Sequence, residues 1–173
     1  MKRYVLILFG LLVLASCGIA PVTIDLLPML GNSASGERPI AATGNLDLKL
    51  PDEDGEKISG YETIQLKPSM VSLEYQLDLS QNGNLTGNAE MAFYLASPEG
   101  FLWDDENQLG EAKEVNMSLK NQTVSGTLSL NPAQIDALMA GEIAMGAKVT
   151  GNVTGSATLS YEFKRLILKV AFF

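Results

Sequence analysis

Apolar and polar residues alternate with a period of two through most of this chain, the spacing that predicts β-strands with one face buried. The clearest run places Val71, Leu73, Tyr75, Leu77 and Leu79 on one face and Ser72, Glu74, Gln76 and Asp78 on the other. Asn82-Gly83 follows, a dipeptide favoured in type I′ hairpin turns because both central residues need positive φ. A return strand then carries Leu85, Gly87, Ala89, Met91, Phe93 and Leu95 opposite Thr86, Asn88 and Glu90. The pattern predicts a hairpin over 71–95 whose two apolar faces lie on the same side of one sheet. Leu73, Leu77, Met91 and Phe93 should be buried, with Glu74, Gln76, Asn88 and Glu90 in water.

The remaining segments read in the same way. Val22, Ile24 and Leu26 make a short strand that Pro28 breaks, and Gly31-Asn32-Ser33-Ala34-Ser35-Gly36 reads as a flexible linker. Leu46, Leu48 and Leu50 mark a second strand, Pro51 to Glu56 an acidic turn, and Tyr61 to Leu66 a less regular third strand. Residues 97–110 form a long connection. Strands follow at Val115, Met117, Leu119 and, after a turn at Asn121, at Val124, Gly126, Leu128, Leu130. There the period changes. Asn131 can cap a helix, Pro132 suits its first position, Gln134 completes a capping box, and Gly141 is a stop. Ile135, Leu138 and Met139 form its apolar stripe. Two or three strands close the chain, at Ile143 to Val149, Val153 to Phe163 and Leu166 to Phe172. The expected fold is all-β: an antiparallel β-sandwich or small barrel of about eight to ten strands with one short connecting helix.

An apolar residue, then Ser or Thr, then Gly recurs at 42–44, 58–60, 85–87, 124–126, 149–151 and 153–155, with no fixed spacing, so a solenoid is not supported. Gly87 and Gly126 fall on apolar faces. An inward glycine either bends a strand or leaves room for a ligand between sheets, and bending is its usual meaning.

The first residues obey a different pattern. Lys2 and Arg3 precede an apolar run from Tyr4 to Leu14, too short to span a bilayer, which needs about 20 apolar residues. Leu14-Ala15-Ser16-Cys17 closes it, and Cys17 is the only cysteine. Charged start, apolar stretch and small residues describe a helical signal peptide. The tetrapeptide resembles the lipobox of bacterial lipoproteins. That resemblance implies a diacylglyceryl group on the Cys17 sulfur, cleavage before it, and acylation, as by palmitate, of the new amino group. It implies residues 1–16 as signal peptide; with the strand pattern, 17–44 read as lipid anchor, tether and entry strand, and 45–173 as a β-rich globular domain. Gly18, where Asp would favour inner-membrane retention, leans towards the outer membrane of the cell envelope. The membrane, through lipidated Cys17, is the expected partner.

Loss of Lys2 and Arg3 would take the formal charge from −8 to −10, which argues against nucleic acid as a partner and against adhesion to anionic lipid headgroups. Histidine is absent, removing the commonest general base and transition-metal ligand. No catalytic residue, cofactor or metal site is expected. Asp52-Glu53-Asp54-Gly55-Glu56 starts like a calcium loop, but its twelfth position is Thr63 rather than a carboxylate. Asp104-Asp105-Glu106 reads as another solvated acidic turn. Four Asn-x-Ser/Thr triplets, at Asn84, Asn116, Asn121 and Asn152, are incidental behind a bacterial signal. A terminal Phe173 is shared with outer-membrane barrels, but Lys169 and Arg165 would break the lipid-facing band of such a strand. Phe101 and Trp103, in the long connection, are the only ligand-binding candidates. They either grip a ligand from the surface or fold back to cap the core. The chain therefore reads as a membrane-anchored envelope lipoprotein with a non-catalytic binding or structural domain. The alternative is a carrier of a hydrophobic ligand in an internal cavity, which needs roughly 300 Å³ or more.

Overall fold

The computed structural model describes residues 19–59 and 66–172. The signal segment, Cys17 and the predicted strand at 61–66, apart from Leu66, lie outside them. The strands are β1 (Ile19–Asp25), β2 (Ser35–Leu50), β3 (Glu56–Ser59), β4 (Met70–Gln81), β5 (Thr86–Ala96), β6 (Gln108–Asn116), β7 (Asn121–Ser129) and β8 (Glu142–Phe172). Two short helices are present, α1 (Leu27–Leu30) and α2 (Pro132–Met139). The fold is an antiparallel β-sandwich, nearly closed into a barrel, as the alternation predicts.

β8 is the axis. One of its edges pairs in turn with β3, β2 and β1; the other pairs with β5 and then β4. Instead of the two or three strands read from the sequence, β8 is one strand of 31 residues. The break near Lys164 is a bulge. Gln76 pairs with Arg165 and Leu77 with Phe163, so the inward set passes from Leu159, Tyr161, Phe163 to Leu166, Leu168, Val170. One extra residue in a ladder reverses which side faces in.

The expected hairpin over 71–95 does not form. β4 pairs with β7 and β8, β5 with β6 and β8, and the two never pair with each other. Neither Asn82 nor Gly83 has positive φ. Gln81 faces Leu159 and Thr86 faces Thr154, so the partner index falls by one for each step forward and β4 and β5 lie end to end along β8. The chain does reverse there, but out of the sheet plane. Tyr75 and Phe93, nine residues either side of Asn84, stack with ring centroids 4.2 Å apart. Phe163 continues the stack at 6.2 Å from Phe93. The long strands fold over at a crease, and the two halves of one bent sheet face each other through side chains. The burial predicted for Leu73, Leu77, Met91 and Phe93 holds, because in-plane and out-of-plane reversals both point these residues into one core.

Small residues make the crease. Gly44 and Gly87 flank Val153, with φ of +141° and +122°, and Gly155 has φ +111°. A Cβ on Gly155 would collide with the Asn84 carbonyl, and one on Gly87 with that of Asn152. A Cβ on Gly151 would lie 2.5 Å from Ala89 Cα. The arch at 82–85 is held by Asn84 N–H donating to Ser156 O (2.9 Å) and Thr158 N–H donating to Asn82 Oδ1 (2.9 Å). Gln81, 7% exposed, accepts from Gly83 N–H at 2.9 Å and donates to Met117 O at 3.4 Å. Met117, read as a strand residue, instead lies in a matching arch between β6 and β7.

One further expectation is corrected. Residues 31–34 form a 3₁₀ turn and β2 begins at Ser35, so Gly31–Gly36 is no linker. β2 runs unbroken through residues 44 and 45, paired with β8 along its length, so residues 35–44 share one strand with residues 45–50. Among the described residues α1 joins the expected connecting helix α2, and it places Pro28 in its first turn, where a missing N–H costs nothing. The capping box of α2 is present, with Gln134 N–H donating to Asn131 Oδ1 and Asn131 N–H donating to Gln134 Oε1, both 2.9 Å.

Candidate binding surface

Strand register, repeated across four antiparallel strands, sorts the outward side chains into rows. At the crease Thr43, Thr154 and Thr86 are neighbours, with Thr86 and Thr154 hydroxyl oxygens 2.9 Å apart. The next row is four asparagines, Asn45, Asn152, Asn88 and Asn116, all exposed. Beyond it come Asp47, Thr150, Glu90 and Glu114. The signal for these rows was in the sequence: Thr-Gly-Asn occurs at 43–45, 86–88 and 150–152. The glycine bends the strand inward while its neighbours point out, so crease and rows share one motif.

On the other half, outward residues of β2, β8, β4 and β7 line an open trough of about 780 Å³. One row is Ser35, Glu162, Asp78, Thr123; the next is Glu37, Ser160, Ser80, Asn121. Thr123 Oγ1 donates to Asp78 Oδ1 at 2.6 Å, and Lys164 Nζ lies 2.5 Å from Glu162 Oε1. Under the floor, burial pushes the Tyr161 phenol above its usual range. Hydroxyls, amides and carboxylates in ordered rows can donate to and accept from a polar ligand. Two strand positions further on, Glu74 is held by Lys169 (2.6 Å) and Arg165 (3.1 Å). The bond to Lys169 above all, then the Arg165 charge, draws its carboxyl below the ordinary range, against desolvation.

Phe101 and Trp103 part company. Phe101 is 83% exposed at the tip of the 97–104 loop. Trp103 folds back: its Nε1–H donates to Glu53 O at 2.6 Å, its ring meets Tyr94 edge-on at 5.5 Å, and Lys49 Nζ lies 5.7 Å from it. Gly146 makes room, since a Cβ there would lie 2.5 Å from the indole. Leu102 is buried with Ala92, Tyr94, Ala96 and Ala144, so the loop seals the outer side of β5. The acidic turn beneath it is internally tied, by Lys49 to Glu53 (2.6 Å) and Asp54 N–H to Asp52 Oδ1 (3.0 Å). Among the described residues no three carboxylate or thiol groups converge as a metal site would require.

Among the described residues, one mostly apolar void, lined by Leu30, Leu50, Phe93, Met145, Phe163 and Leu166 together with Ser33 and Glu56, measures about 10 Å³. That is no more than one water, and far below the roughly 300 Å³ of a ligand pocket. The inward glycines are occupied rather than open. A Cβ on Gly126 would lie 3.2 Å from the Tyr75 ring, and one on Gly36 2.7 Å from Tyr161 Oη.

No family model matches this chain, and no curated protein does. Among solved structures it is similar to a chain of infectious bursal disease virus Gx strain, at TM-score 0.46 and 10% identity over 90% of this chain and 33% of that one. A second similar structure is a non-crystalline cellulose specific carbohydrate-binding module, at TM-score 0.37 and 6% identity, covering 69% of this chain and 72% of the module. The chain thus spans about a third of the viral chain.

Proposed function

We propose that this protein is a lipid-anchored protein of the bacterial cell envelope, favouring the outer membrane, whose β-domain is a non-catalytic binding or structural unit. The observation that carries this reading is the tetrapeptide Leu14-Ala15-Ser16-Cys17 behind a basic start and an apolar run, with no other cysteine in the chain. Two acyl chains on one residue would hold a protein stably on a membrane without spanning it. The outward rows give the second half of the reading. From Phe172 to the crease at Val153, β8 covers at most about 60 Å at about 3.3 Å per residue. A domain anchored by its first strand would present the threonine and asparagine rows away from the membrane, to a polar partner.

Cys17→Ser should release the protein from the membrane fraction or leave it unprocessed, while the wild type stays with membranes. A wild type that fractionates as soluble, with a Cys17 thiol that reacts with a maleimide, would overturn the reading.

A further inference from the structure

β1 begins at Ile19, two residues after Cys17. A backbone reaches at most about 3.3–3.6 Å per residue, so a lipid on Cys17 could sit no more than about 7 Å of chain from the first strand. Ile19 is paired with Phe172, at the end of β8. The sheet itself must then lie close to the lipid.

That end of the sandwich differs from the rest of the surface. Five large apolar residues are exposed among those described, and three lie on the segments that meet there: Val22, Leu66 and Met70. Val22 pairs with Val170 and Met70 with Ala171, and Leu66 is four residues ahead of Met70. They are 46%, 63% and 50% exposed. Charge differs too. The formal charge of residues 17–173 is −10, yet around this end Lys67, Lys164, Arg165 and Lys169 balance Asp25, Glu74, Asp136 and Glu162, the last paired with Lys164. Lys67 pairs with Asp136 at 2.7 Å, and Arg165 and Lys169 with Glu74. Exposed apolar side chains mixed with cations suit the boundary between headgroups and acyl chains, where an acidic surface would be repelled.

We propose that the end of the domain formed by β1, the start of β4 and the end of β8 docks on the lipid surface. Val22, Leu66 and Met70 enter the interface, and the domain stands on the membrane without a tether. This rests on the lipidation of Cys17.

The test uses the full chain processed in a bacterial host and reconstituted in phosphatidylethanolamine–phosphatidylglycerol vesicles. With Cys17 acylated, a cysteine introduced elsewhere is the sole free thiol. Met70→Cys and Val22→Cys, and Asn88→Cys at the crease as the distant control, each carry an environment-sensitive fluorophore. Mass spectrometry of the N-terminal peptide first establishes whether Cys17 is acylated. The expected result is a blue shift and strong quenching by spin-labelled lipid at positions 22 and 70, with neither at 88. A ten-residue Gly-Ser insertion after Gly18 should weaken the quenching while membrane retention persists. An acylated protein whose labels at 22 and 70 are quenched no more than that at 88 overturns docking and leaves the anchor standing. An unacylated Cys17 overturns both.

Discussion

Replacing single glycines on either side of the crease would measure what holds it closed. Gly44 and Gly155 both have φ that L-residues avoid, +141° and +111°. They differ in surroundings: nothing lies within 4 Å of a Cβ on Gly44, whereas one on Gly155 would overlap the Asn84 carbonyl oxygen. Backbone strain costs about 1–3 kcal/mol in either alanine variant, and the entropy lost by the unfolded chain is the same for both. Gly155→Ala must also push the arch away from β8. Three hydrogen bonds cross there: Asn84 N to Ser156 O (2.9 Å), Asn82 N to Thr158 O (3.3 Å) and Thr158 N to Asn82 Oδ1 (2.9 Å). At about 0.5–1.5 kcal/mol each, their loss adds about 1.5–4.5 kcal/mol. Gly155→Ala should thus be at least about 1.5 kcal/mol worse than Gly44→Ala. In urea melts of residues 18–173, with a slope of about 1–3 kcal/mol per molar, that separates the midpoints by about 0.5 M or more. Equal midpoints for the two variants would refute the close-approach account of the crease and leave strand curvature as strain alone.

Other variants probe the core and its titration. Phe93→Ala, which removes a ring stacked between Tyr75 and Phe163, should cost about 3–5 kcal/mol, while Gln76→Ala on the outer face stays within about 0.5; comparable small losses in denaturant melts would contradict a packed interior. The Tyr75 hydroxyl is buried without a hydrogen-bond partner, so Tyr75→Phe should leave stability unchanged or raise it by up to about 1–3 kcal/mol, and a clear loss in the same melts would argue against that. Burial holds the Tyr75, Tyr94 and Tyr161 phenols above their usual range. Their contribution is therefore complete below the unfolded value of about 10 and declines as pH rises beyond it, because the unfolded chain ionises first. The phenolate absorbance of these three tyrosines should accordingly rise together with unfolding rather than before it.

Period-two alternation was enough to specify an all-β domain, because half-buried strands need no information beyond which face is apolar. It also identified Leu73, Leu77, Met91 and Phe93 as core, and the capping box of α2 is a local hydrogen-bond arrangement readable from Asn131 and Gln134 alone. Partner choice was not legible. Asn82-Gly83 announces a reversal, but whether the chain turns within the sheet or folds over it depends on what lies alongside. Here β8 supplies an edge long enough to pair β4 and β5 end to end, so their backbone groups are satisfied without each other. The same holds for the surface. Each Thr-Gly-Asn triplet is unremarkable by itself; only the register between strands distant in the chain lines them up into rows. Trp103 and Phe101, two residues apart with similar chemistry, were separated by Gly146 and the Glu53 carbonyl, which offer one of them a seat and the other none. What each residue prefers is local and travels with the sequence; which residues meet is set by the single long strand against which five of the other seven described strands pair.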